Sequence, residues 1–322
     1  MTDSQNTEKL RASIVIPTYN RPDDLRNCIE SILKQTVRPY EIIVVDDGNL
    51  ADVPLRKECE DAGIKCVYFK KQGERGSAAS KNIGAGLAGG DIVLFLDDDV
   101  ILYPDYIEEI LRVYTENRYE DIGGVGGIVA NTKPLSRNKK LRHTLEAVFL
   151  ISGNKEGKVL PSGFTTNYGS TGTPYTQEAV VDFLPAGVSS FKKEIFARFS
   201  FDAGRFQNYS LGEDKEFSYQ VSKTRTLVLN PKARLLHMES PIMKPDNFKM
   251  GLMYINFCYL FFTRHVKKGP LSAIFFWYAV IGLVLSNAVG FMFSGKQKTL
   301  DHLKGLLTGI RDIISGKGGF VR

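Results

Sequence analysis

The chain has 322 residues, of which 43% are hydrophobic and 24% are charged. This composition predicts a folded globular protein and excludes a disordered or fibrous one. The net charge of +6, from 42 basic and 36 acidic residues, is too small an excess to indicate a nucleic-acid partner. A basic face toward anionic lipid or nucleotide phosphate fits it better.

Neither the cysteines nor the N-terminus indicates secretion. The four cysteines, Cys28, Cys59, Cys66 and Cys258, contain no CxxC pair, and three of them fall in or beside apolar periodic segments. We therefore expect reduced, buried thiols in a cytosolic compartment. Residues 1–11 are expected to form a disordered tail, and the polar N-terminal sequence lacks the apolar core of a signal peptide.

Four short apolar runs, rich in Val, Ile and Phe, predict buried strands at 13–17, 41–45, 65–69 and 91–96. Helical spacing of apolar residues fills the intervals after the first and third strands and follows the fourth. Such alternation predicts an α/β fold with a mostly parallel, Rossmann-like sheet covered by helices on both faces. Ligands of these sheets bind at the carboxyl ends of the strands, which here are the loops 18–21, 46–49, 70–76 and 97–100.

Three consecutive acids, Asp97, Asp98 and Asp99, end the last of these strands. Carboxylates so close together repel one another unless a cation is bound, and hard oxygen ligands suit Mg²⁺ or Mn²⁺ carrying a diphosphate. The alternative is that they are turn and N-cap acids ahead of Pro104. Three acids at a predicted sheet edge favour the metal.

Two further motifs fall at the same edge. Asp46 and Asp47 end the second strand before Gly48, where they could accept hydrogen bonds from a base or ribose, although Asp-Asp-Gly is also a common turn. The segment GERGSAASKNIG places Arg75 and Lys81 where a cation and backbone amides could meet phosphate at a helix start. It lacks the ending of a Walker motif.

The segment LGEDKEF places Glu213 and Asp214 at the start of a predicted helix whose Phe217 and Val221 share a face. Acids at a helix N-terminus are often only partners of the helix dipole. Their association with the other acidic motifs is what indicates a chemical role.

With these motifs in order, the chain resembles the family 2 glycosyltransferases of GT-A fold over residues 13–240. The matching segments are SIVIPTYNRPDDLRNCIESILKQT, EIIVVDDGN, GSAASKNIGAG, DIVLFLDDDV and LGEDKEF. The resemblance implies an inverting transfer of a sugar from a nucleotide-diphosphate sugar to an acceptor hydroxyl, with a divalent cation (Mn²⁺ or Mg²⁺). The QxxRW signature of processive synthases is absent.

The resemblance also implies roles for individual residues. The donor-binding set is expected to comprise Pro17, Thr18, Tyr19, Asp46, Asp47, Lys81, Asp97 and Asp98. Asp99 resembles the direct metal ligand, with Asp97 beside it and His237 near the diphosphate. Asp214 matches the catalytic base and Glu213 its neighbour at the acceptor.

We expect a nucleotide-sugar-binding half at 12–130, an acceptor-binding and catalytic half at 131–245, and a helical membrane-associated region at 246–322. The irregular stretch 130–180 and the loop around Asn208 are expected to set specificity. The alternatives are a nucleotidyltransferase of related fold, a haloacid-dehalogenase-like phosphatase and an inactive transferase-like membrane scaffold.

The C-terminal quarter predicts attachment to the cytoplasmic face of a membrane, through residues 251–293. Residues 271–293 carry no charge, and as a helix of roughly 34 Å they could cross a hydrocarbon core of about 30 Å. Residues 251–263 are apolar but too short to span, so we expect them to lie in the interface or to form one arm of a re-entrant hairpin. Basic residues on both sides favour a hairpin or embedded helix over a single crossing, and a buried helix pair is the alternative. A saccharide or lipid-linked acceptor would suit this location.

Overall fold

The computed structural model describes residues 10–73, 75–116, 118–132, 137–207, 210–238, 240 and 245–318, with only the backbone of 137–141. Asn208 and most of the expected N-terminal tail lie outside these ranges. In the first half, strands β1 (Ala12–Thr18), β2 (Glu41–Asp46), β3 (Lys65–Lys70) and β4 (Ile92–Leu96) alternate with helices α1 (Pro22–Leu33), α2 (Arg56–Asp61) and α3 (Ser77–Leu87). These strands and α1 and α3 confirm the sequence prediction.

Further elements follow in chain order: β5 (Val100–Leu102), α4 (Tyr106–Thr115), β6 (Ile122–Val129), α5 (Arg137–Val148), β7 (Ala179–Val181) and β8 (Val188–Lys192). After a 3₁₀ turn at Lys193–Ala197 come α6 (Glu213–Ser222), β9 (Thr226–His237), α7 (Asn247–Phe261), α8 (Pro270–Ser294) and α9 (Gln297–Ile314).

Nine strands of the described chain form one sheet in the order β3-β2-β1-β4-β8-β6-β9-β5, with β7 also paired to β9. The first four are parallel, whereas β8 is antiparallel to both β4 and β6. Strands from both predicted halves thus share a single sheet. The α/β class with flanking helices is confirmed.

At β1, β2 and β4 the sheet is buried on both faces, which explains the unbroken apolar runs of these strands. The edge strand β3 is half-buried to exposed, so the expectation of a buried strand at 65–69 is wrong about its burial. Ile14 and Ile16 face a cluster that contains α1 and α4, while Val15 faces one that contains α3, α6, α7 and α8. In register, Thr18 lies beside Asp46 at the carboxyl end of the sheet. The predicted edge loops therefore start side by side.

For two of the elements that the sequence did not predict, β6 and α5, the physical reason is visible in the structure. Strand β6 has the sequence IGGVGGIV, which reads as a loop, but its glycines are required by close packing: a Cβ on Gly124 would lie 2.8 Å from the Phe191 ring, and one on Gly127 2.5 Å from the Ala233 carbonyl oxygen. Helix α5 lies inside the stretch interpreted as loop-rich. Its sequence, RNKKLRHTLEAV, is too polar to show helical periodicity.

The C-terminal region is helical, as predicted, but its two apolar segments differ. Helix α7 is largely buried in the core beside α9, so residues 251–261 do not form a surface or interfacial segment. Within the described residues, Pro270–Ser294 is the helix long and apolar enough to cross a membrane, and 39% of its most apolar window is buried. Of the two apolar segments, α8 alone therefore remains a candidate for contact with a membrane.

Candidate active site

The metal candidates come together at the carboxyl edge of the sheet. β5 pairs with β9 so that His237 lies opposite Val100, directly after the acidic triplet. As a result, His237 Nε2 lies 3.1 Å from Asp99 Oδ1, and one ligand atom each from Asp97, Asp99 and His237 lies within 4.8 Å of the others. Two carboxylates and an imidazole at this spacing suit a divalent cation.

Burial and like charge act on these acids in different directions. Burial raises the pKa of Asp97, and the nearby Asp214 and Asp99 charges raise it further against the opposing effect of Lys81. Burial also raises the pKa of Asp99, but hydrogen bonds from His237 and from the Ser240 amide outweigh it and leave that pKa below its usual value.

Asp98 points away from this group. Its carboxylate accepts hydrogen bonds from Thr18 Oγ1 at 2.7 Å and from Arg21 Nη1 at 3.0 Å. Burial raises its pKa to about 6 in spite of these two partners. Asp98 and Thr18 therefore join the end of β4 to the loop after β1.

Asp46 holds the loop after β2. It is fully buried, and its two oxygens accept hydrogen bonds from the Gly48 and Leu50 amides, the Tyr68 hydroxyl and Lys70. All four donors lie inside the protein. These bonds hold the loop after β2 in place, and the donor-binding role expected of Asp46 stays a prediction.

Asp47 is oriented differently and lies at the rim. Its Oδ1 is 2.7 Å from Lys71 Nζ, and its Oδ2 accepts from the Gly76 amide and Ser80 Oγ at 3.1 and 3.0 Å. This joins the β2 loop to the start of α3. Beside it, Arg75 Nη1 donates to the Tyr19 hydroxyl at 2.8 Å and its guanidinium lies 4.8 Å from the Tyr19 ring centroid. Pro17 precedes them as a half-buried residue.

Lys81 lies next to the expected base rather than at the loop rim. Only 1% exposed, it places Nζ 2.5 Å from Asp214 Oδ1 and 3.6 Å from Glu213 Oε1. Burial lowers the pKa of the ammonium, but Asp214, Glu213 and Asp97 raise it more, so the side chain stays charged. Burial raises the pKa of Glu213 to about 7 against the pull of Lys81.

An aromatic cluster fixes the start of α6, which carries both acids. Phe217, one turn into the helix, stacks on Phe201 with ring centroids 4.1 Å apart and meets Phe191 edge-on at 5.0 Å. The Phe201 ring also lies 5.5 Å from Lys81 Nζ. Rigid packing thus sets the position of the Asp214 carboxylate relative to Lys81.

Sequence reasoning missed three contributors. Arg21 lies 3.5 Å from Asp99 as well as contacting Asp98, and Lys71 pairs with Asp47. Gly187, at φ +66°, lies so close to Asp97 that a Cβ would be 2.2 Å from its Oδ2. Arg21 lies in a loop predicted to form the rim, but a single sequence gives no signal for its partner.

A cavity of about 270 Å³ lies near α6. Its lining combines hydroxyl, amide, imidazole and ion-pair groups with apolar side chains: Arg142, Glu146, Ile151, Ser152, Thr165, Asn167, Ser170, Leu211, Met250, Tyr254, Leu283, Asn287 and His302. Lys215, directly after Asp214, donates to Thr165 Oγ1 and Asn167 Oδ1 of this lining, each at 2.7 Å. Lys215 thus links the start of α6 to two residues of the cavity wall.

Comparison with known proteins agrees with this arrangement. The family model described as glycosyl transferase family 2 matches residues 13–182. An uncharacterised glycosyltransferase of Rickettsia felis is 36% identical over 271 residues, which are 82% of this chain and 38% of the relative. The chain thus spans about two fifths of that relative's length. A glucosyl-dolichyl phosphate glucuronosyltransferase of Haloferax volcanii is 35% identical over 37% of this chain and 38% of its own.

Among solved structures, a mannosyltransferase from Pyrobaculum calidifontis, in complex with GDP-Man and Mn²⁺, matches with a TM-score of 0.56. The match covers 97% of this chain and 89% of the other at 14% identity, which shows a common fold. Because the family model covers more than half of the chain and a relative at 36% identity covers 82% of it, the chain belongs to glycosyl transferase family 2 and has the GT-A fold.

Proposed function

We propose that the protein is an inverting glycosyltransferase that moves a sugar from a nucleotide-diphosphate sugar to an acceptor hydroxyl with the help of a divalent cation. One observation carries the proposal: the sheet edge brings a candidate metal group, Asp97, Asp99 and His237, within electrostatic range of the Lys81–Asp214 pair. The metal group would stabilise the departing diphosphate, and Asp214 would take the proton of the attacking hydroxyl.

The donor would lie across the loops after β1 and β2. Thr18, Tyr19 and Asp47 line this rim, with Arg75 against the Tyr19 ring and Lys71 behind Asp47. An aromatic ring, a carboxylate and the cation of Arg75 suit a base, a ribose and a phosphate respectively. Pro17 shapes the turn, whereas Asp46 supports the loop from inside.

Asp97, Asp99 and His237 fit a divalent cation by donor type and spacing. Carboxylates suit both Mg²⁺ and Mn²⁺, and the added imidazole favours Mn²⁺. When bound, the ion would neutralise charge that develops on the diphosphate as the glycosidic bond breaks. Arg21, beside Asp98 and Asp99, keeps part of the acidic charge balanced.

Asp214 would act as the general base. Its carboxylate would accept the proton of the acceptor hydroxyl as the oxygen attacks the anomeric carbon opposite the diphosphate, so the configuration would invert. A positioned base contributes on the order of a hundred- to ten-thousandfold in rate. Lys81 holds this carboxylate in place, and Glu213, with its pKa raised to about 7, can donate a hydrogen bond to an acceptor oxygen.

The acceptor would be a saccharide, free or lipid-linked, bound in the cavity beside Lys215. Hydroxyls and amides with the Tyr254 ring are the groups that bind sugars, and the segment 152–170 supplies four of the lining residues. The name of the Haloferax relative, which refers to a dolichyl phosphate, supports a lipid-linked acceptor. Such a substrate would place the enzyme at the cytoplasmic face of a membrane.

A binding experiment tests the donor and metal site before any acceptor is known. Purified protein is titrated with nucleotide sugars by thermal shift, with Mn²⁺, with Mg²⁺ and with excess chelator. We expect a rise in melting temperature that needs both nucleotide sugar and cation, and its loss in Asp99→Ala. Equal shifts in chelator, or in Asp99→Ala, would refute the metal assignment.

A transfer experiment tests the reaction. With the bound donor and extracted lipid or saccharide acceptors, product configuration is read by NMR. We expect inversion, and retention would refute the role of Asp214. Release of phosphate from simple esters would instead support the phosphatase alternative.

A further inference from the structure

Helix α8 presents an apolar face to the outside along its whole length. Seven exposed apolar side chains recur every three or four residues: Leu271, Ile274, Tyr278, Ile281, Leu285, Val289 and Met292. Their exposed fractions run from 39% at Tyr278 to 81% at Met292. A continuous apolar stripe on a helix of roughly 37 Å marks an interaction surface.

The opposite face of α8 is attached to the catalytic domain. Phe276 is fully buried and stacks on Phe262 with ring centroids 4.5 Å apart. Further along, Gly282 lies so close to Phe149 that a Cβ would be 2.2 Å from that side chain, and Leu283 and Asn287 line the cavity. The helix would have to detach from this packing to stand alone in a bilayer.

Both ends of α8 also return to the same body. The preceding helix α7 and the following helix α9 pack backbone against backbone: a Cβ on Gly305 would lie 2.0 Å from the Phe248 carbonyl oxygen, and one on Gly251 2.2 Å from that of His302. If α8 crossed a bilayer, α9 would have to lie on the far side or cross back. Its Asp301, Lys304, Arg311 and Asp312 make a return crossing costly.

The charges around α8 identify what covers its outer face. Lys267 and Lys268 precede the helix and Lys296 and Lys298 follow it, all exposed, and residues 262–300 contain no Asp or Glu. A second copy docked on this face would bring lysines toward lysines. An anionic bilayer surface instead offers hydrocarbon to the stripe and phosphate to both ends.

We propose that α8 is an in-plane membrane anchor: it lies along one leaflet of an anionic bilayer, immersed on its outer face only, and does not cross. The anchor would keep the cavity beside the leaflet, a consequence that rests on the proposed function.

Vesicle flotation with the full chain tests the anchor. The probes are phosphatidylcholine vesicles and vesicles with 30% phosphatidylglycerol. We expect binding that is at least tenfold stronger to the anionic vesicles and at least tenfold weaker in the double variant Ile281→Glu/Leu285→Glu. The matched control is Val180→Glu, since Val180 is an exposed apolar residue (49%) on β7, outside the stripe, and it should bind like the wild type.

The proposal would be overturned if the wild type bound neither vesicle type, or if the double variant bound the anionic vesicles as strongly as the wild type. The proposal would also be overturned if the wild type formed a dimer that the double variant does not form, while neither protein bound vesicles. A second copy of the chain would then cover this face. None of these readouts depends on sugar transfer, so failure of the anchor and failure of the enzymatic proposal are distinguishable.

Cysteine labelling on vesicles distinguishes a helix α8 that lies along one leaflet from one that crosses the bilayer. Lys268→Cys and Ser294→Cys mark the two ends of α8, and the wild type gives the background from the native cysteines. With protein added outside, an impermeant maleimide should label both positions. Protection of one position alone, reversed by detergent, would show a crossing helix and refute the in-plane anchor.

Discussion

Replacing Lys81 with methionine removes the ammonium group that lies between the two carboxylates at the start of α6. In the structure its Nζ is 2.5 Å from Asp214 and 3.6 Å from Glu213, and the side chain is 1% exposed. Methionine keeps a similar length without the charge. The variant therefore leaves two buried acids with no cation between them.

Breaking a buried ion pair by removing one partner costs about 3–5 kcal/mol of unfolding free energy. We expect the lower end, about 3 kcal/mol, because Glu213 has a pKa raised to about 7 and readily takes up a proton. Since Asp214 loses the contact that positions it, kcat should fall by roughly a hundredfold, the lower bound for a general base. The KM for the donor should change little.

The assay is urea denaturation together with kcat and KM for the donor. Lys71→Met is a matched control, because Lys71 is also buried and pairs with one carboxylate, Asp47, at 2.7 Å. It should lose similar stability but weaken donor binding rather than kcat. A Lys81→Met variant with a raised donor KM and unchanged kcat would refute our reasoning and return Lys81 to the donor site.

Two further predictions concern neighbouring residues. Because the pKa of Glu213 is raised in the folded state, its contribution to stability is present below about pH 4.5 and is lost as the pH rises through about 7. In Glu213→Gln, the unfolding free energy from urea titrations should therefore depend less on pH across that window. Lys81, Asp214 and Asp97 face this group, and an unchanged slope in Glu213→Gln would assign the dependence to them. Gly187→Ala would place a Cβ 2.2 Å from Asp97 Oδ2 at a φ of +66°, so it should weaken Mn²⁺ binding, measured by calorimetry, at least tenfold. The control is Gly86→Ala on α3, where an added Cβ has nothing within 4 Å and Mn²⁺ should bind as in the wild type. If Gly187→Ala bound Mn²⁺ with wild-type affinity, the role of Asp97 would be contradicted.

The parallel half of the fold could be predicted because β1, β2 and β4 are buried on both faces and the helices between the strands are amphipathic. Leu25, Cys28 and Ile29 recur at helical spacing and are all fully buried. Strand β6 could not be predicted, since its glycines are required by close packing against Phe191 and Ala233, which are distant in sequence. α5 shows no apolar periodicity of its own.

The site divides in the same way. The acids at strand ends could be located because topology alone brings the ends of β1, β2 and β4 to one edge. Orientation could not be read from the chain: Asp46 turns inward to four donors while Asp47 faces the rim. Likewise, the pairing of Lys81 with Asp214 joins residues 133 positions apart, and it makes Lys81 a partner of the base.

The rate of sugar transfer by Asp214→Asn, measured at saturating donor and Mn²⁺, tests the central claim most directly. Asparagine keeps the shape of the side chain but cannot accept the acceptor proton. We predict a fall in kcat of at least a hundredfold with donor affinity unchanged by calorimetry. A kcat within a few-fold of the wild type would contradict the assignment of Asp214 as the base of this glycosyltransferase.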